Sequence, residues 1–101
     1  MTWTVEFHPL VGDEDLPELD QPARARVLKA IKGKLTSAPE AYGERLRAGL
    51  HGYWKLRVGE YRVIYEVRRQ VVTVLVLKIG FRRDGEVYRQ MSKRLSPGKR
   101  P

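Results

Sequence analysis

Residues 55–67, KLRVGEYRVIYEV, alternate with a period of two on both sides of Gly59-Glu60. That pattern is a β-hairpin with a two-residue loop, and Gly at the first central position suits a type II′ turn. So short a loop sets the register. Val58 faces Tyr61, Leu56 faces Val63 and Trp54 faces Tyr65 on one apolar side. The other side sets Arg57 opposite Arg62, with Lys55 one step away and Tyr53 and Glu66 beyond. Like charges directly opposed across a ladder destabilise it. Arg57 can relieve this by pairing with Glu60 or Glu66; otherwise the face calls for an anionic ligand.

The flanking sequence gives the hairpin something to pack on. Thr2 to Phe7 alternates Trp3, Val5 and Phe7 against Thr2, Thr4 and Glu6, the mark of a strand with one buried face. Gly12 and Pro17 interrupt Leu10 to Leu19, which reads as a short or broken helix. Asp20 can cap a second helix from about Gln21 to Thr36, with Pro22 tolerated in its first turn. Ala23, Val27, Ala30, Ile31 and Leu35 form its core stripe, while Arg24, Arg26, Lys29 and Lys32 lie largely away from it. Pro39 enforces the stop, and four breakers make 39–52 a loop, with room for one helical turn around Leu46. Val71 to Ile79 is apolar on both faces and should lie centrally in the sheet. After the Asp84-Gly85 turn, Val87, Met91 and Leu95 are spaced for a short C-terminal helix. The expected fold is α+β: a mostly antiparallel sheet of about four strands, two N-terminal helices packed on one face, and a short C-terminal helix. A chain of 101 residues makes a single domain over 1–95, with SPGKRP, 96–101, as a flexible basic tail.

Charge narrows the partner. Residues 1–44 hold five basic and eight acidic side chains, whereas 45–101 hold fifteen and four, within a total of +8. Such polarity inside one domain suits an anionic partner for the second half: nucleic acid, an anionic membrane or an acidic protein. The absence of cysteine excludes disulfides and thiolate metal sites and fits a reducing cytoplasm. Trp3 to Phe7 is too short and too alternating for a signal peptide, and Val71 to Leu77 is far too short to span a bilayer.

Familiar catalytic signatures are missing. There is no Gly-rich phosphate loop, HExxH motif or nucleophile elbow, and the acids are too scattered to suggest a metal cluster. The two histidines, His8 and His51, come from opposite ends of the first half; His51, in a Gly-flanked loop before the hairpin, is the better placed to touch a ligand. What remains is cations with phenols. Lys55, Arg57 and Arg62 share the hairpin face with Tyr53, Arg82 and Arg83 follow the last strand, and Tyr88 comes six residues after Arg82. Charge for phosphates and flat rings for bases suit single-stranded RNA. Physical reading alone ends at a basic α+β domain that binds RNA or an acidic protein.

The runs LHGYWKLRVGEYRVIYEV, 50–67, and VLVLKIGFRRDGEVY, 74–88, resemble the RelE/ParE superfamily of bacterial and archaeal toxins. The most specific pieces are W-x-L-R-x-G-x-Y-R and G-x-R…E-V-Y, and the likeness covers nearly the whole chain. For the RelE branch it implies a toxin of a type II toxin–antitoxin system. That toxin is a ribosome-dependent endoribonuclease, which cuts mRNA in the decoding site without metal or cofactor and so inhibits translation. Lys55, Arg62, Arg82 and Tyr88 match its catalytic set, with Tyr53, Arg57, Arg83 and His51 as substrate contacts. Tyr53 stands where a well-studied subgroup has a second lysine, which opens the identity of the general base. The resemblance also implies an acidic, RelB-like antitoxin, a toxin monomeric alone and hetero-oligomeric in complex, and ribosome and mRNA as targets. The ParE branch, which acts on DNA gyrase, generally lacks the late Arg and Tyr, so their presence favours RelE. A noncatalytic RNA- or ribosome-binding module is the third reading.

Overall fold

The computed structural model describes residues 2–46, 52–81 and Arg94. Among these residues five strands form one sheet in the order β1-β5-β4-β3-β2: β1 Thr4–Phe7, β2 Glu44–Arg45, β3 Tyr53–Val58, β4 Tyr61–Arg68 and β5 Thr73–Phe81. The β3–β4 hairpin has the register its loop length demands, with Arg57 across from Arg62 and Trp54 across from Tyr65. Gly59 takes φ +59, and Glu60 is not among the positive-φ residues, as a type II′ turn requires. β5 lies between β4, antiparallel, and β1, parallel, so the apolar 71–79 run is interior to the sheet. The fifth strand is β2, only two residues long, paired with Trp54 and Lys55 inside the segment expected to be loop. A short helix, α3, Pro39–Tyr42, forms where proline fits the first turn; Leu46, around which a helical turn was expected, donates its N–H to the Tyr53 carbonyl, and residues 47–51 lie outside the described ones.

The helices cover one face. A π-helical turn, Val11–Asp15, leads into α1, Leu16–Glu18, so the Leu10–Leu19 segment is helical but broken as expected. α2, Gln21–Ala30, begins where the Asp20 carboxylate accepts the Ala23 N–H at 2.9 Å, and continues through a second π-helical turn, Ile31–Leu35. That turn has a physical reason. Ala23, Val27, Ile31 and Leu35 repeat every four residues, which overshoots a 3.6-residue turn; the wider π turn returns Leu35 to the core face. Arg24 is no free surface cation. Its guanidinium donates to the Leu16 and Leu19 carbonyls, both at 3.1 Å, closing the end of α1.

The main core joins that stripe to Val11, Leu56, Val63, Tyr65, Val74, Val76 and Ile79, all buried. Each fully buried Val, Leu or Ile contributes about 1.5–3 kcal/mol by leaving water. The opposite face is mixed: Ile64 and Leu77 form a small buried cluster with Leu46, Tyr53 and Leu75 around it. The expected C-terminal helix lies outside the described residues apart from Arg94, which is helical and buried.

Candidate nucleic-acid interface

On the face away from α2 the β3–β4 hairpin assembles the predicted cations. In a two-residue hairpin the second pair from the turn is non-hydrogen-bonded, with Cα atoms about 4.5 Å apart and side chains at their closest. Arg57 and Arg62 occupy that pair. Lys55 stands next to Arg57 on the same face and is half-buried, while Arg57 is exposed. Arg62 is half-buried and lies across from Gly80 of β5, which puts no side chain on the face beside it. Among the described residues Lys55 and Arg57 make no side-chain ion pair or hydrogen bond, whereas Arg62 does take part in an interaction. The Glu66 carboxylate, a candidate partner for Arg57, instead accepts Arg68 Nε at 2.8 Å. Glu44 stands across from Lys55 on β2 without closing an ion pair.

Tyr53 sits at the far end of β3, half-buried against the Ile64–Leu77 cluster. It also lines a cavity of about 260 Å³ with Arg45, Leu46, Trp54 and Arg69, walled on one side by the Glu40–Arg69 ion pair. Arg45 lies over the Trp54 ring at 5.5 Å. His51, Arg82, Arg83 and Tyr88 lie outside the described residues. The structure thus brings Lys55, Arg57 and Arg62 together and sets Tyr53 one strand position beyond Lys55's neighbour Trp54. Among the described residues no three His, Asp or Glu side chains gather in metal-ligand geometry, and no helix is long and apolar enough to cross a membrane.

A second polar cluster was not anticipated. β1 ends across from Val76, and among the described residues no strand pairs with the outer edge of β5 beyond that point. The Asp15 carboxylate takes over there, accepting the Ile79 N–H at 2.9 Å, and Arg94 Nη1 donates to the Leu77 carbonyl at 2.7 Å. Asp15 also accepts Lys78 Nζ at 2.7 Å and both Arg94 Nη atoms at 2.8 Å. Its side chain is fully buried, so two cations and a backbone amide compensate one desolvated carboxylate. The signal was present in the sequence: a lysine inside an apolar strand run, VLVLKIG, needs a buried acid. Beside this cluster His8 Nδ1 accepts the Leu10 N–H at 3.1 Å. Partial burial first, and the Arg94 charge second, lower the His8 pKa below its ordinary 6.5, with Asp15 opposing.

Residues 5–85 match the family profile described as the ParE toxin of type II toxin–antitoxin system, parDE. Toxin RelG of Mycobacterium tuberculosis is 32% identical over 90 residues, covering 89% of this chain and all of that protein. The toxin–antitoxin complex RelBE2 of the same organism superposes with a TM-score of 0.76 at 31% identity, covering 83% of this chain and 95% of the matched one. A doubly substituted E. coli toxin RelE in the free state gives 0.74 at 26% identity, covering 95% and 100%. A RelE–RelB complex from Pyrococcus horikoshii gives 0.66 at 27%, covering 81% and 97%. With a family profile spanning most of its length and a relative this similar, the chain belongs to the RelE/ParE superfamily of type II toxin–antitoxin toxins.

Proposed function

We propose that this toxin is a ribosome-dependent endoribonuclease that cuts mRNA by attack of the RNA's own 2′-hydroxyl. The observation that carries the reading is the cation face, where Arg57 opposes Arg62 beside Lys55 and Gly80 leaves space next to Arg62. Similarity to RelE toxins at up to full coverage of the matched chain supports the same branch.

The 2′-oxygen loses its proton and bonds to phosphorus, a dianionic phosphorane forms, and the P–O5′ bond breaks as the 5′-oxygen takes a proton from water. The products are a 2′,3′-cyclic phosphate and a 5′-hydroxyl. Arg62, with a planar fork that matches two phosphate oxygens, stabilises the phosphorane. Lys55 beside it is either the base that takes the 2′-hydroxyl proton or an added positive charge. Arg82 stabilises charge on the leaving oxygen, since an arginine is a poor proton donor. Tyr88 orients the 2′-hydroxyl or stacks on a base, and Arg83 and His51 contact the substrate. The ribosome supplies in-line orientation that so small a site lacks.

An acidic, RelB-like antitoxin is the proposed partner, covering the basic face in a hetero-oligomeric complex in the cytoplasm. The antitoxin complexes among the related structures support it. The profile's ParE description favours a second reading, inhibition of DNA gyrase. One experiment separates them: purified protein is added to a reconstituted translation reaction and to a gyrase supercoiling reaction. Cleaved mRNA with a cyclic-phosphate end is expected; blocked supercoiling with intact mRNA selects the gyrase reading, and ribosome association without cleavage selects a binding module.

A further inference from the structure

At the hairpin end of the sheet an aromatic pair stands apart from the cation face. Tyr61, the first residue of β4, and Phe81, the last of β5, are register partners. Their rings stack with centroids 4.9 Å apart and planes 27° apart. Tyr61 packs against the helix-side core, which holds its ring in place, and Phe81 remains 50% exposed. A single exposed ring is ordinary. Two features make this one different. The Arg26 guanidinium reaches the adjacent turn, where a Cβ built on Gly59 would lie 3.1 Å from its Nη1. Arg62 is the next residue after Tyr61 and points to the opposite face, toward Arg57. One end of the sheet therefore carries rings on one side and cations on the other, one strand thickness apart.

We infer that the Tyr61–Phe81 pair is a stacking shelf for an unpaired nucleobase of single-stranded RNA that passes round the hairpin tip from the Arg57–Arg62 face. The inference rests on the proposed RNA substrate and adds where a base farther along that strand is held. Tyr61 backs Phe81 and keeps it flat, and the base adds a further layer to an existing stack. Arg26 meets the backbone phosphate as the strand turns round the hairpin tip. An apolar peptide side chain needs a concave pocket to lose its hydration, whereas a flat, half-exposed ring suits another flat ring.

The test is a cycle between ring and base. Affinity is measured at low salt for a short single-stranded RNA and for the same RNA carrying one abasic position, scanned along its length. The proteins are wild type, Phe81→Leu and Phe81→Trp, with thermal unfolding as the folding control. Phe81→Leu is expected to weaken binding about tenfold, the size of one base–aromatic stack. That penalty should vanish when one particular base is absent, and Phe81→Trp should restore binding. A penalty that persists at every abasic position, or no penalty, overturns the shelf. So does weakened antitoxin binding with RNA affinity unchanged, which would make the rings a protein interface. mRNA cleavage is scored in parallel, so loss of the shelf with cleavage intact leaves the nuclease reading standing, and the reverse result removes only that reading.

Discussion

Arg57 lies directly across the β3–β4 ladder from Arg62, at the pair position where side chains approach most closely. Nothing in the packing of the hairpin requires two cations there, because Trp54, Leu56, Val58, Val63 and Tyr65 bury the other face. Arg57→Thr should therefore raise stability by about 0.2–1 kcal/mol, the range for relieving a like-charge cross-strand pair. The same change should weaken RNA binding. Denaturant midpoints and RNA affinity measured on one preparation check this; a variant that is less stable and binds as before would mean that Arg57 is structural.

Asp15 is the acid that the β5 edge depends on. Asp15→Ala leaves Lys78 and Arg94 buried without their carboxylate and the Ile79 amide without its acceptor. Removing one partner of a buried ion pair costs about 3–5 kcal/mol. Urea denaturation should show a loss of that size, and a loss below about 1 kcal/mol would mean that water replaces the carboxylate.

His8 makes stability depend on pH. Its folded pKa lies below 6.5, so the folded state prefers the neutral ring, whose Nδ1 accepts the Leu10 N–H. The contribution is complete above pH 6.5 and is lost as pH falls from there toward the lowered folded value. His8→Asn keeps a side-chain acceptor and cannot titrate. Its stability should fall less than that of wild type between pH 7.5 and 5.5, and parallel curves would exclude His8 as the group responsible.

Gly43 carries the close approach of β2 to the core. A Cβ there would collide with the Tyr65 hydroxyl and come within 2.9 Å of the Lys55 carbonyl. Tyr65 is buried and its O–H donates to the Pro39 carbonyl at 2.6 Å, while burial, with the Glu40 charge adding, pushes its pKa up. Gly43→Ala should cost about 1–3 kcal/mol as an overpacked site. Adding Tyr65→Phe should recover part of that loss, since it removes the colliding oxygen; additive losses would place the strain at the Lys55 backbone instead.

The parts of this fold legible in the sequence were those with local causes. A two-residue loop with glycine set the hairpin register down to Arg57 and Arg62, and Asp20 marked the start of α2. β2 was missed because two residues carry no periodicity, and its place depends on Gly43 fitting under Tyr65. The strict four-residue stripe from Ala23 to Leu35 holds the signal for a π turn, which helical spacing by itself does not separate from plain α-helix. Asp15, Lys78 and Arg94 escaped because their contact spans more than sixty residues of chain, although Lys78 alone announced an unseen partner. Of the candidate site, Lys55, Arg57 and Arg62 followed from alternation, while Arg82 and Tyr88 stood out as a cation and a phenol after the last strand, took their catalytic role from family resemblance, and lie outside the described residues.

The most direct test of the nuclease account is the single-turnover rate of mRNA cutting on programmed ribosomes by wild type and Arg62→Ala. Loss of one transition-state donor predicts a fall of roughly 10²–10³-fold, with a 2′,3′-cyclic phosphate on whatever product still forms. Cutting by Arg62→Ala at the wild-type rate would contradict it.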